Sequence, residues 1–337
     1  MIRGVTPKDA ARALYDAGYV CVSGKFFKID KDTQRYDWVP YEELKRYIMS
    51  ARYTTTAKDT KDITDAFVTM YNISAEWPAP QLWLDAETFD REVKLKFDFD
   101  DKIYKIINLL LTSTGYERFF ILYGTAGSGK STVLNLIKQI FDNDYGVFSL
   151  SQLCERFAPS EACQYRLITH SELDANELNS NRLKSIISRE DGTVERKGQQ
   201  PFNIKWQSRL LYACNEMPWI DLGDTGMMRR IVVFKMNTPF KKFDKNVRDY
   251  KYSPEELKYI IHKALNMDMT DWFEDFRRDT FEAVTEHNPV YLFRREPAYE
   301  GYAASCKMFG YKPYNEYHWL RVKNYITEQQ KLLKLED

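Results

Sequence analysis

Between residues of about 100 and 240, short apolar runs alternate with stretches of helical periodicity. The runs are Phe119–Tyr123, Tyr165–Thr169, Leu210–Cys214 and Ile231–Phe234. Each is too short for a helix and nearly uninterrupted by polar residues, as a strand buried on both faces requires. Ser131–Phe141 has the other period: Val133, Leu134, Ile137, Ile140 and Phe141 fall on one helical face. Strands alternating with helices predict an α/β unit with a largely parallel sheet. Ahead of it, Val20–Val22 and Lys25–Ile29 predict a hairpin turning at Ser23-Gly24, and Tyr41–Ala51 and Thr60–Met70 predict amphipathic helices. Trp77-Pro-Ala-Pro80 reads as a linker. Beyond 240, Glu255–Leu265 and Trp319–Leu333 are the clearest helical segments. Three regions are therefore expected: 1–95 (small, α+β or helical), 96–240 (α/β) and 241–337 (small and helical).

Composition narrows the class. The 337 residues are 44% hydrophobic and 29% charged, with 49 basic and 49 acidic residues. A balanced charge confines any polyanion-binding surface to a local loop or pore. Cys21, Cys154, Cys163, Cys214 and Cys306 show no paired spacing, which fits a reducing, cytoplasmic setting and argues against a disulfide framework or zinc site. No apolar run approaches the ~20 residues of a membrane span, so no membrane partner is expected.

The strongest chemical signal is Gly124-Thr125-Ala126-Gly127-Ser128-Gly129-Lys130-Ser131, followed by Thr132. It satisfies G-x-x-x-x-G-K-[ST] and lies between an apolar strand and an amphipathic helix, where a phosphate-binding loop belongs. Glycines let backbone amides curl around a phosphate, and the helix start adds its positive end. Lys130 reaches toward β- and γ-phosphates, and the Ser131 hydroxyl suits Mg²⁺. Nucleotide binding follows; kinase, switch or motor does not.

The remainder of the α/β region bears on that choice. Tyr165–Thr169 leads into His170-Ser-Glu-Leu-Asp174, making Glu172, and after it Asp174, candidates for holding Mg²⁺ and polarising water. The lesser alternative is that both merely cap a following helix. Asn215 ends the strand Leu210–Cys214, where an amide could orient water beside a γ-phosphate. It also begins the turn Asn215-Glu-Met-Pro218, an equally natural role. Arg229 and Arg230 precede Ile231–Phe234, and either could reach a neighbour's γ-phosphate or simply flank a strand.

The order of these features resembles superfamily 3 helicases, above all the C-terminal motor of poxvirus-type and phage primase-helicases. The matching stretches are Gly124–Thr132, Arg166–Asp174, Leu183–Lys197, Leu211–Pro218 and Gly223–Phe234. The resemblance implies an AAA+-like P-loop NTPase core flanked by small N- and C-terminal domains, the latter winged-helix-like. It implies ATP and Mg²⁺ as ligands, Asn215 as sensor, and Arg229 or Arg230 as a finger acting on a neighbouring subunit. It further implies a homo-oligomeric ring, hexameric by family, moving 3′→5′ on single-stranded or forked DNA in phage, viral or mobile-element replication. A hairpin in Ser188–Gly198 would grip the strand through Arg196 and Lys197, with Lys184 and Lys205 nearby. The family's Gly-Gly-Asp at the start of this segment is Arg189-Glu190-Asp191 here. The first 95 residues show neither paired metal-binding carboxylates nor a His-rich motif, so priming or origin recognition is expected from a separate primase or origin-binding protein, or from a portion outside this sequence. The competing classes are an ATPase switch or loader without unwinding activity, and a small-molecule kinase.

Overall fold

The computed structural model describes residues 6–22, 24–30, 35–51, 56–73, 77–97, 99–112, 117–142, 144–173, 181–195, 201–218, 220–236 and 245–335. The chain opens with α1 (Pro7–Asp16), β1 (Tyr19–Val22), β2 (Lys25–Asp30), β3 (Arg35–Trp38), α2 (Tyr41–Ser50), α3 (Ala57–Tyr71) and β4 (Asn72–Ile73). The expected hairpin forms: β1 and β2 pair antiparallel, and the small sheet runs β3-β2-β1-β4. Thr6 starts α1 with a reciprocal cap, its hydroxyl accepting from Asp9 while the Asp9 carboxylate accepts from the Thr6 amide. Ala10, Leu14, Cys21, Phe26, Leu44, Ile48, Ile63 and Phe67 make a separate apolar core here.

The second unit runs α4 (Gln81–Glu87), α5 (Asp101–Leu111), β5 (Phe119–Tyr123), α6 (Lys130–Phe141), β6 (Tyr145–Val147), α7 (Leu150–Cys154), α8 (Pro159–Ala162), β7 (Leu167–His170), α9 (Asn181–Ile187), β8 (Asp191–Val194), β9 (Phe202–Lys205), β10 (Arg209–Cys214), α10 (Thr225–Met228) and β11 (Ile231–Lys235). Five strands form one wholly parallel sheet in the order β11-β5-β10-β7-β6. Alternation sorts its side chains into two cores. Phe119, Ile121, Leu210, Tyr212, Ile231 and Val233 face one way. Phe120, Leu122, Leu211, Ala213, Val232 and Phe234 face the other. Both faces are covered, which explains why these strands read as unbroken apolar runs.

Helices only follow among the described residues beyond 244: α11 (Lys245–Arg248), α12 (Pro254–Leu265), α13 (Trp272–Thr285), α14 (Pro289–Leu292), α15 (Tyr299–Met308) and α16 (Glu316–Leu333). Their apolar sides complete the sheet's two cores. Ile260, Ile261 and Phe276 lie in one, and Phe281, Tyr302, Trp319 and Val322 in the other. Packing is therefore continuous across position 240. It also reaches back across 95, since Trp83 of α4 meets Phe141 edge-on, with ring centroids 5.0 Å apart. Trp77–Pro80 is coil but not slack. The Trp77 indole donates to the Val22 carbonyl at 3.1 Å, and its amide donates to Gln207 at 2.9 Å.

The N-terminal sheet meets the edge of the parallel sheet through buried charge. Lys25 Nζ lies 2.5 Å from Asp144, just before β6, and Arg166, just before β7, holds the other Asp144 oxygen at 2.8 Å. The indoles of Trp77 and Trp38 stand 4.2 and 4.8 Å from the Lys25 ammonium. Burial drives the Lys25 pKa down to about 7, and Arg166 pushes the same way; Asp144 opposes both.

Candidate functional site

In a parallel sheet all strands end on one edge, and ligands bind in the crevice outside it. Register fixes what meets there. Cys214 pairs with Tyr123, and His170 with Tyr212, so the loops after β5, β10 and β7 leave the same edge in that spatial order. Gly124 and Asn215 start neighbouring loops. The β7 loop with Glu172 lies one strand further, roughly 10 Å across at ordinary strand spacing.

The glycine loop is shaped by close approach. A Cβ on Gly124 would stand 2.4 Å from the Met236 carbonyl, so only glycine fits. Gly129 caps α6 with φ +94°, a left-handed conformation that favours glycine and turns the chain into the helix. Lys130 is 8% exposed; its ammonium donates to the carbonyls of Gly124 at 2.6 Å and Thr125 at 2.8 Å, and meets Ser128 Oγ at 3.4 Å. Burial lowers its pKa, and neighbouring Cys214 opposes this. Burial in turn pushes the Cys214 thiol up to about 12, so the lysine has no thiolate to pair with near neutrality. Ser131 is exposed on the first turn of α6.

Glu172 and Asn215 are both exposed beside this loop. The His170 Nδ1 lies 2.6 Å from the Glu172 carbonyl and 3.3 Å from the Glu172 amide, and so holds the turn carrying Glu172. Asp174 lies outside the described residues. One carboxylate here was invisible to sequence reasoning. Glu286, which ends α13, accepts a hydrogen bond from the Tyr123 hydroxyl at the tip of β5. They lie 163 positions apart in the chain, so no local pattern could pair them. Burial, then Glu286, raises the Tyr123 pKa.

The two arginines differ sharply. Arg230 is 7% exposed; it donates to Ser188 Oγ at 2.9 and 2.5 Å and to the Gly226 carbonyl at 2.5 Å. The Arg229 side chain is 63% exposed, with Glu117 4.0 Å away. Both precede β11, whose Ile231 pairs with Phe119 at the start of β5. They therefore stand at the edge opposite the glycine loop, on the order of 15 Å along the strands. Nothing at that distance could act on a phosphate held by the same chain's loop.

Of the basic residues proposed for nucleic acid, Arg196 and Lys197 lie outside the described residues. Lys184 forms an ion pair with Asp224, the N-cap of α10. Lys205 is exposed on β9, but the antiparallel partner directly opposite is Asp191 of β8. Thr193 and Asn203 continue that outward face, hydrogen-bonded at 2.9 Å. The outward face of the two described strands is thus polar, with its lysine set opposite a carboxylate. Among the described residues no three His, Cys, Asp or Glu cluster as a metal site, and no helix is long and apolar enough to cross a membrane.

Residues 122–230, which include the glycine loop and both arginines, match a family described as a family of unknown function, DUF5906. Over 185 residues, 52% of this chain, the sequence is 23% identical to "Putative helicase L207/L206" of Acanthamoeba polyphaga mimivirus; the match spans 19% of that viral protein. Among solved structures, the apo C-terminal region of NrS-1 in its A form aligns at 16% identity over 98% of this chain and 89% of that one, with a TM-score of 0.45. Residues 305–718 of the same protein align at 17% identity over 98% and 88%, with a TM-score of 0.46. Likenesses that loose fix no common topology.

Proposed function

We propose that this chain is an ATP-hydrolysing motor of a viral, phage or mobile-element replication system, of the superfamily 3 helicase type, acting as a homo-oligomeric ring on single-stranded DNA. The observation that carries this reading is the division of polar groups between the two sheet edges. Lys130, Ser131, Glu172 and Asn215 leave one edge, and the exposed Arg229 stands at the other. A phosphate cradle and a guanidinium that cannot meet in one chain can meet between two copies. The distant similarity to a mimiviral protein described as a helicase supports the same reading.

The residues fit a nucleotide and Mg²⁺. Gly124 has no room for a side chain, the Lys130 ammonium is held over backbone carbonyls that a phosphate can replace, and the Ser131 hydroxyl is open. Ser131 and Glu172 would hold the ion, which neutralises phosphate charge when bound. Within the chain, Lys130 binds the β- and γ-phosphates, Glu172 polarises water, and Asn215 orients it. Arg229 of the adjacent copy stabilises the charge that develops as the γ-phosphate leaves. Its loss of that contact after hydrolysis loosens the interface. Arg196 and Lys197, which lie outside the described residues, would contact the strand.

A subunit-mixing experiment tests this. Lys130→Ala and Arg229→Ala should each lose nearly all phosphate release, roughly 10³-fold or more. Mixed in equal amounts they should regain measurable turnover, because some interfaces then pair an intact loop with an intact arginine. If Arg229→Ala hydrolyses ATP like the parent, the shared site is wrong. One observation favours a second reading, an ATPase switch that does not translocate: Lys205 faces Asp191, so the described hairpin offers no basic track. ATP turnover without strand displacement would select it.

A further inference from the structure

The C-terminal helices carry an aromatic surface that the nucleotide site does not use. Phe309 is 65% exposed and stacks on Phe293, with centroids 5.5 Å apart and 29° between ring planes. Tyr311, also exposed, meets the same Phe293 ring edge-on at 5.9 Å. The turn that holds them is well defined. Phe309 ends α15, and Gly310 has φ +79°. The Tyr311 amide donates back to Cys306 at 2.8 Å and the Gly310 amide to Lys307 at 3.4 Å. This is the paired hydrogen bonding of a glycine helix stop. In most such stops the residue after glycine packs against its own helix. Here both flanking rings are presented outward around Phe293.

The positions next to these rings in the sequence are largely cationic. Within residues 291–312 the charged residues are Arg294, Arg295, Lys307 and Lys312 against Glu296 and Glu300. Arg295, Lys307 and Lys312 are exposed. Arg294 is held inward over Tyr291, 4.3 Å from the ring, and Glu296 accepts from Ser305 Oγ at 3.2 Å. Exposed rings gain by being covered, and an apolar protein partner would serve if the neighbouring positions were neutral. Exposed cations one or two positions from each ring in the sequence favour a polyanion whose repeating unit carries a flat face. A single nucleic-acid strand has that chemistry, whereas a duplex hides its ring faces.

We propose that Phe293, Phe309 and Tyr311 form a stacking platform for bases of a single strand, with Arg295, Lys307 and Lys312 holding its backbone. The surface stands on observations separate from the nucleotide site, and its test needs no ATP.

The full chain, without nucleotide, is titrated against a fluorescein-labelled oligo-dT and against a duplex of equal length, reading anisotropy. Phe309→Ala should weaken single-strand binding about tenfold, within the range measured for one stacked base. It should leave duplex binding unmoved, and Phe309→Trp should restore the parent affinity. Lys307→Ala with Lys312→Ala should flatten the salt dependence of single-strand binding by about two phosphate contacts. Phe309 is exposed, so the melting temperature should not move. Unchanged single-strand affinity in Phe309→Ala would overturn the proposal, as would equal weakening for strand and duplex. So would a change confined to sedimentation, which would make the surface a protein contact. Lys130→Ala should still bind the strand in a Phe309-dependent way, so failure of the motor reading and failure of this platform give different results.

Discussion

The two edges of the parallel sheet hold similar residue types in opposite states. At the edge where strands end, Ser131, Glu172 and Asn215 are exposed around a buried lysine. At the edge where they begin, Arg166, Arg209 and Arg230 are folded into the protein and bound to specific acceptors: Asp144, the Thr112 carbonyl, and Ser188 with Gly226. Charge at the first edge is available to a ligand. Charge at the second is mostly architecture, with Arg229 and its neighbour Glu117 exposed. Residue type therefore says little about role until burial and partners are known. Three substitutions at the second edge sharpen the contrast, since each should act on stability and leave the intrinsic chemistry alone.

The largest effect is expected from Asp144→Ala. Its carboxylate serves both Lys25 and Arg166, and removing it strands two buried cations. Breaking a buried pair from one side costs about 3–5 kcal/mol, which chemical denaturation would read. A loss below about 1 kcal/mol would mean that the N-terminal sheet is held by apolar packing alone.

Arg230→Ala comes next. It leaves Ser188 and the Gly226 carbonyl without their donor, at a cost of about 2–3 kcal/mol, while Arg229→Ala should leave the melting curve in place. If the adjacent pair behaves alike in thermal unfolding, the distinction between a structural and a free arginine fails.

The smallest effect carries the most specific sign. Burial holds the Lys25 pKa near 7, far below its unfolded value, so between about pH 7 and 10 the unfolded chain binds a proton that the folded chain does not. Folding stability should thus rise with pH across that window, by about 1–2 kcal/mol between pH 7 and 9, and the rise should vanish in Lys25→Met. Below pH 7 both states are protonated and the contribution is flat. An ordinary exposed ion pair would show no such slope. At pH 7, Lys25→Met itself should cost less than about 1 kcal/mol, because Arg166 still neutralises Asp144.

Much of the sheet was legible in the sequence because each buried strand writes its own apolar run, and Phe119–Tyr123, Leu210–Cys214 and Ile231–Phe234 stand within a residue of their observed bounds. The edge strand β6 was not, since Tyr145–Val147 is three residues long with a glycine at its centre. The glycine loop was legible as a motif because its spacing is local. What separates Arg229 from Arg230 was not, since it depends on Ser188, 42 positions away from Arg230. Nor was the Lys25–Asp144 contact, where a lysine in a predicted hairpin looks solvated until the strand's other face is known to meet a second sheet. Patterns that repeat along the chain were readable; contacts made once, between distant segments, were not.

Strand β11 has a mechanical consequence. Arg229 lies two residues before it, and the Met236 carbonyl just past its end fills the space where a Gly124 side chain would be. The Met236 amide is also tied to the Tyr123 carbonyl at 2.7 Å. An extended strand hydrogen-bonded along its length is nearly inextensible, so it behaves as a strut. The backbone that follows Arg229 thus runs without a break to the glycine loop at the far edge.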